Sequence, residues 1–263
     1  MPSEVVTRLR AAGCVFAEDE ARLLVSAART PAELTAMLDL RVAGQPLEHV
    51  LGWAQFCGLR IAVDPGVFVP RRRTECLVDQ ATAHIGPHRS PAVVVDLCCG
   101  SGAVGVAVVA ALRSAELHAV DIDPVAVRCA RRNVTPAGGR VYQGDLYGPL
   151  PVTLRGRVDV LVANVPYVPT GEIDLLPGEA RLHEPRVALD GGSDGLDIAR
   201  RVAAGAARWL APGGRLLVET SAQQAPAAVG MFGRSGLIPH VVTSDELDTT
   251  VVVGSMPAGD VHL

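Results

Sequence analysis

The chain has 263 residues, of which 49% are hydrophobic, and its 24 basic and 28 acidic side chains leave a formal net charge of −4. That length accommodates one large α/β domain and a small accessory block. The balance excludes a disordered chain or one drawn to nucleic acid by a global basic field.

Every Lys+Arg position is Arg, a composition bias without functional content. The N-terminus, Met1-Pro2-Ser3-Glu4, has no basic-then-apolar leader pattern. The longest apolar stretch, Ala103 to Leu112, falls well short of the roughly 20 residues that span a bilayer. A cytoplasmic protein with no membrane partner is expected. Cys14, Cys57, Cys76, Cys98, Cys99 and Cys129 show neither Cys-x-x-Cys nor zinc spacing to His, so no metal site is expected.

Up to about Val42 apolar residues recur at helical spacing, and Thr30-Pro31-Ala32-Glu33 supplies an N-cap, a first-turn Pro and an acidic first turn. Two or three short helices are expected there. Gly44-Gln45-Pro46 ends the block, and Val50 to Val69 reads as a hairpin. From Cys76 onward, strands are predicted at Ala92–Leu97, Leu117–Asp121, Gly139–Gln143, Val158–Ala163, Gly214–Glu219, Ile238–Thr243 and Thr249–Gly254. Helices are predicted at Ala103–Leu112, Pro124–Asn133, Leu196–Leu210 and Gln223–Ser235. This alternation implies an α/β fold, a mostly parallel seven-stranded Rossmann-like sheet wound with helices on both faces. Ser244–Asp248 is too short for a crossover, so the last strand should be antiparallel to its neighbour. The domains are then a helical block over 1–45, a hairpin linker over 46–75 and a catalytic domain over 76–263.

Chemistry concentrates at two strand ends. Asp96-Leu97-Cys98-Cys99-Gly100-Ser101-Gly102 is a glycine-rich turn opening a helix, with Asp121 closing the next strand. Glycines let the backbone approach a ligand, and the Asp121 carboxylate suits a pair of ribose hydroxyls. Both NAD and S-adenosyl-L-methionine carry that adenosine. Asp96 favours the second, since a carboxylate there suits a cationic amino acid and sulfonium and repels a pyrophosphate; the alternative is that Asp96 only caps the turn. Asp145 stands where it could accept from an adenine amino group, with Leu146 over the ring; otherwise it is a loop solvation residue. Asn164-Val165-Pro166-Tyr167 follows the other strand.

These features resemble the HemK/PrmC family of protein glutamine N(5)-methyltransferases, within the class I S-adenosylmethionine-dependent enzymes. Gly44 to Gly52, Phe68-Val69-Pro70-Arg71-Arg72-Arg73-Thr74-Glu75, His183-Glu184-Pro185 and Gly191-Gly192-Ser193-Asp194-Gly195-Leu196 resemble further family segments. The resemblance implies S-adenosyl-L-methionine as cofactor, S-adenosyl-L-homocysteine as product, and cofactor contacts from Cys98, Cys99, Gly100, Ser101, Gly102, Asp121, Ile122, Leu146 and Asn164. It also implies an acceptor site at Asn164, Val165, Pro166 and Tyr167, a helical block that recognises substrate, and a protein partner such as a release factor presenting a Gly-Gly-Gln loop. Val165 and Arg72 replace family prolines, and Asp248-Thr249-Thr250 lacks an expected Arg, which marks a divergent branch.

An amide nitrogen shares its lone pair with its carbonyl and attacks a methyl sulfonium only when oriented. The Asn164 side-chain oxygen and the Val165 carbonyl can each accept one of its N–H groups, and Tyr167 can stack on the amide plane. Val165 precedes Pro166 and stays biased to extended backbone. A flipped-out base amine or a small metabolite would suit the same geometry, and a non-catalytic cofactor-binding module is the rival outside enzymology. Arg71-Arg72-Arg73 reads as a solvated linker face, with contact to RNA or an acidic partner as the alternative, so nucleic acid is expected only indirectly through the ribosome; Arg200-Arg201 reads as an exposed helix face and His183-Glu184-Pro185 as a packing or substrate-positioning loop.

Overall fold

The computed structural model describes residues 2–85 and 91–258. Four helices open the chain: α1 (Pro2–Ala11), α2 (Ala17–Ala27), α3 (Pro31–Val42) and the single turn α4 (Leu47–Leu51). Thr30 caps α3 by accepting from the Glu33 N–H, as its spacing predicts. Leu9, Leu24 and Leu38 close a small core between these helices. Arg41 is buried among them and pairs with Glu20 from α2 and with Glu179 from a distant helix.

A hairpin follows, β1 (Trp53–Phe56) and β2 (Leu59–Ala62). Its turn residues Cys57 and Gly58 both have positive φ, 47° and 75°, the tight geometry whose twist matches paired strands. Phe56, Ile61, Val63 and Val67 pack into the same apolar cluster as the main sheet. The predicted linker segment is therefore part of the principal core.

The main sheet comprises β3 (Ala92–Leu97), β4 (Ala115–Asp121), β5 (Arg140–Gln143), β6 (Val158–Ala163), β7 (Leu210–Thr220), β8 (Ile238–Ser244) and β9 (Thr249–Ser255), in the order β5-β4-β3-β6-β7-β9-β8. All neighbours are parallel except β9, which runs antiparallel to both β7 and β8. Every residue of β3 and β6 is buried, as a strand covered on both faces requires. Helices α5 (Glu75–Ile85), α6 (Ala103–Ala110) and α7 (Pro124–Val134) cover one face with the hairpin. Helices α9 (Asp197–Ala206) and α10 (Ala225–Arg234) cover the other, and α8 (Gly178–His183) stands apart in the loop after β6.

The predicted strands and the helices between them all form, with ends shifted by a few residues. The sequence reading missed α5, whose apolar side chains face the sheet, and the short α4 and α8. The order reverses between β3 and β6, the switch point at which sheets of this kind open a crevice beyond their carboxyl ends.

Candidate active site

A cavity of about 660 Å³ opens at that switch point, a volume typical of small-ligand sites. Asp96, the turn Cys98 to Ser101, Asp121 and Ile122 line one end; Asn164 to Val168, Phe68, Pro70, Arg71, Arg73, Thr74 and the segment around α8 line the other.

The glycine turn owes its shape to close contacts. Cys98, Gly100 and Gly102 have φ of 55°, 55° and 79°; Cys98 holds this left-handed backbone as a non-glycine residue, a strain typical of functional turns. A Cβ on Gly102 would stand 2.6 Å from Val134 Cγ2, and one on Gly105 would stand 2.9 Å from Asp96 Oδ2. Gly105 instead donates its N–H to that oxygen at 2.8 Å. Asp121 accepts from the Gly100 and Asp123 N–H groups at 2.8 and 2.9 Å and so clamps the turn. Asn133 secures it from behind, donating to the Ser101 and Ala62 carbonyls and tying hairpin to turn. Burial pushes the Asp96 carboxyl up to about 7 against the Gly105 N–H, with Asp121 adding to the rise. Burial likewise raises Asp121.

At the other end β6 delivers Asn164, whose Nδ2 lies 3.5 Å from the Thr74 hydroxyl. The following backbone is moulded by the Gly191–Leu196 loop. Val168 donates to Leu189 and accepts from Gly191, while Gln224 Nε2 donates to the Tyr167 and Asp194 carbonyls. A Cβ on Gly191 would stand 2.7 Å from the Pro166 carbonyl oxygen, so only glycine allows the two chains this near. The Gly-Gly and Asp-Gly positions thus shape the loop after β6 while lying outside the cavity lining. The Tyr167 hydroxyl lies 3.4 Å from Glu219 Oε1; burial first, and the nearby carboxylate second, push it up to about 12.

The expectation of a solvated face at Arg71-Arg72-Arg73 holds for Arg72, which is exposed beside Glu246, and in part for Arg73, whose side chain is 45% exposed. Arg71 pairs with the buried Glu184 and lies over the Phe68 ring; Arg73 pairs with Glu219 at 3.3 Å and lies over the Tyr167 ring. Both line the cavity. Arg71 is half-buried, Arg72 and Arg73 are exposed, and Thr74, at the end of the short turn Arg72–Thr74, is buried. Glu184 of His183-Glu184-Pro185 also accepts the Val69 N–H, a packing role as expected.

Of the predicted site residues, Asp96, Cys98, Cys99, Gly100, Ser101, Asp121, Ile122, Asn164, Val165, Pro166 and Tyr167 meet on this one wall. Gly102, Asp145 and Leu146 lie outside it. Asp145 is paired with Arg201 from α9, and Leu146, with φ 47°, packs into the core below α9. Thr74 lies in a segment that carries the resemblance, whereas Glu219, Asn133 and Gln224 carry no isolated signal, since they reach partners distant in sequence.

The wall suits S-adenosyl-L-methionine. Its glycine end carries Asp96, Asp121 and Asp123 and no cationic side chain, a donor-poor, anionic surface matched to a cationic amino acid and to ribose hydroxyls. Asp96 is buried, faces the cavity and caps the turn through the Gly105 N–H.

The family model for the methyltransferase small domain matches residues 58–193. A release factor glutamine methyltransferase of Geobacter sulfurreducens is 40% identical over 229 residues, covering 85% of this chain and 78% of that one. A 4-amino-L-phenylalanine/4-methylamino-L-phenylalanine methyltransferase of Streptomyces pristinaespiralis is 36% identical, covering 76% and 69%. Among solved structures, a methyltransferase from Pyrococcus furiosus superposes with a TM-score of 0.54 over 76% of this chain and 90% of that one, at 16% identity, a likeness of fold alone. With its cavity, its two loops and these relatives taken together, the chain belongs to the S-adenosylmethionine-dependent release factor glutamine methyltransferase family.

Proposed function

We propose that this enzyme methylates the side-chain amide nitrogen of a glutamine in a translation release factor. The observation that carries the reading is the position of Asn164: it ends a fully buried strand, faces the cavity, and stands across the switch point from the glycine turn. S-adenosyl-L-methionine supplies a methyl group on a cationic sulfur and leaves as S-adenosyl-L-homocysteine.

The chain's own residues orient the acceptor. The Asn164 side-chain oxygen and the Val165 carbonyl accept the two amide N–H groups, which aims the nitrogen's face toward the glycine end. The Tyr167 ring and Phe68 flank the planar amide. Asp96 and Asp121 hold the cationic and ribose portions of the cofactor. No general base is required, because the methylated nitrogen is acidic and water takes its proton. The helical block over 1–45 would recognise the partner, and its link from Arg41 to Glu179 reaches the cavity wall.

The test is incubation with labelled S-adenosyl-L-methionine and purified release factor, beside the same factor with its Gly-Gly-Gln glutamine replaced by alanine. One methyl on that glutamine, absent from the variant, is the expected result. Label on a nucleic acid or a free aromatic amine, with none on the factor, would overturn the reading.

A further inference from the structure

Residues 170–189 leave the cavity wall and return to it through a closed neck. Val168 and Asp190 form an isolated bridge there: Val168 donates to the Leu189 carbonyl at 3.0 Å, Gly191 donates to the Val168 carbonyl at 2.8 Å, and the Thr170 hydroxyl donates to Asp190 Oδ1 at 2.6 Å. Beyond the neck the backbone bonds close only local turns among the described residues. No apolar side chain of the excursion joins any of the three core clusters, α8 has no buried residue, and Leu175 and Leu182 are exposed. Yet Leu176, Pro177, Ala180, Val187 and Ala188 line the end of the cavity that carries Asn164.

A wall without a packed seam behind it must be held in another way, and two Arg–Glu pairs do so. Arg41 of α3 holds Glu179 at 2.6 Å, at the start of α8. Arg71 holds Glu184 just past its end, and Glu184 also accepts the Val69 N–H at 3.1 Å. Separating an apolar seam would expose area at a cost proportional to that area, whereas an ion pair that opens into water exchanges one set of favourable contacts for another. Glu184 is buried only while the excursion lies against the body, and its Oε2 has no protein partner there. Lifting the excursion hydrates that oxygen and frees Arg71 at the same time, so no lone buried charge stays behind.

We propose that residues 170–189 form a lid over the acceptor end of the cavity, hinged at the Val168–Asp190 neck and latched by Arg41–Glu179 and Arg71–Glu184, which opens to admit the acceptor peptide and closes on it. What the lid admits rests on the reading of Asn164 as the acceptor site; the hinge and the latches do not. The glycine end lies outside the lid, so its motion governs acceptor exchange and leaves cofactor affinity alone.

Amide hydrogen exchange read by mass spectrometry tests this on the ligand-free protein. Amides of residues 176–188 should exchange about 100-fold or more faster than those of β6. Glu179→Gln and Arg71→Gln should each quicken lid exchange by a further factor of about 3 or more, with β6 and α9 unchanged. A Gly-Gly-Gln peptide added with S-adenosyl-L-homocysteine should slow lid exchange, and S-adenosyl-L-homocysteine alone should not. Glu179→Gln spares Asn164, Val165 and Tyr167, so acceptor KM should rise about threefold or more while the calorimetric Kd for S-adenosyl-L-homocysteine holds. Lid amides as protected as β6, native lid exchange in both variants, or faster exchange spread equally over β6 and α9 would overturn the inference. So would lid exchange indifferent to a peptide that the enzyme methylates. If no glutamine is methylated at all, the release factor reading falls, and exchange in the ligand-free variants still decides for or against the lid.

Discussion

Gly195 approaches Tyr167 so closely that a Cβ atom on it would stand 2.2 Å from the Tyr167 carbonyl oxygen and 2.3 Å from Gln224 Nε2. Its φ of 76° adds a backbone penalty for any other residue. The loop that carries Asp194-Gly195 therefore acts as a template pressed against the acceptor loop, and Gln224 bolts the two together.

Gly195→Ala should consequently misplace the acceptor loop more than it unfolds the protein. The expected outcome is a loss of about 2 kcal/mol in stability from strain and contact, together with a fall in kcat/KM greater than about 10-fold and cofactor affinity unchanged. Denaturant unfolding and steady-state kinetics on one preparation check it. A variant with native kcat/KM would show that the template is dispensable.

Asn164→Ala should abolish most transfer while sparing cofactor binding. Removal of one preorganised polar group at a reacting centre costs on the order of 100-fold in kcat, and the cavity gains only empty space. Calorimetry with S-adenosyl-L-homocysteine should give a Kd within about threefold of native, since Asn164 is one of many groups on that wall. Retained turnover would remove Asn164 from the chemistry.

Asp96 gives cofactor binding a pH dependence whose sign follows from its raised carboxyl. A cationic ligand favours the deprotonated form, so affinity should weaken as pH falls below about 7, by up to tenfold for each unit. In the ligand-free protein the same group acts oppositely on stability. Its folded value lies above the unfolded one, near 3.8, so its contribution is complete below that value and is lost as pH rises through about 7. Asp96→Asn should flatten the affinity profile, and an unaltered slope in that variant would assign the titration elsewhere.

Arg41, on α3, binds Glu20 of α2 and Glu179 of α8 with one guanidinium. Arg41→Met should cost about 3 kcal/mol, because Glu20 is left buried without its partner. Glu20→Gln combined with Arg41→Met should recover part of that loss. Chemical denaturation of the single and double variants measures both, and a neutral single variant would show that the pair contributes nothing.

The strands were legible because β3 and β6 are apolar runs broken by one Asp each and followed by the glycine turn or by Asn, and Asn164 to Tyr167 could be placed on the cavity wall because they stand at such an end. Contacts across the fold were not. Nothing near Asp145 announces Arg201, which reaches it from α9, so a carboxylate read as a ligand group is satisfied by an ion pair. Arg71 and Arg73 look like a charged surface in one dimension, and only the burial of Glu184 and Glu219 reveals why they turn inward. Thr74 and Glu219 are far apart along the chain, on a helical turn and a strand end, and only the packing of α5 against β7 brings them together.

The strand β9 lies inside the sheet, wedged between β7 and β8, although it comes last in sequence among the described strands. While residues 249–255 are still being synthesised, β7 has an open edge and the tail of the sheet has nothing to hold β8. The cavity wall at the carboxyl end of β7 therefore matures only once residues 249–255 have been made, and a ribosome that stalls before Thr249 would release a product with an adhesive edge.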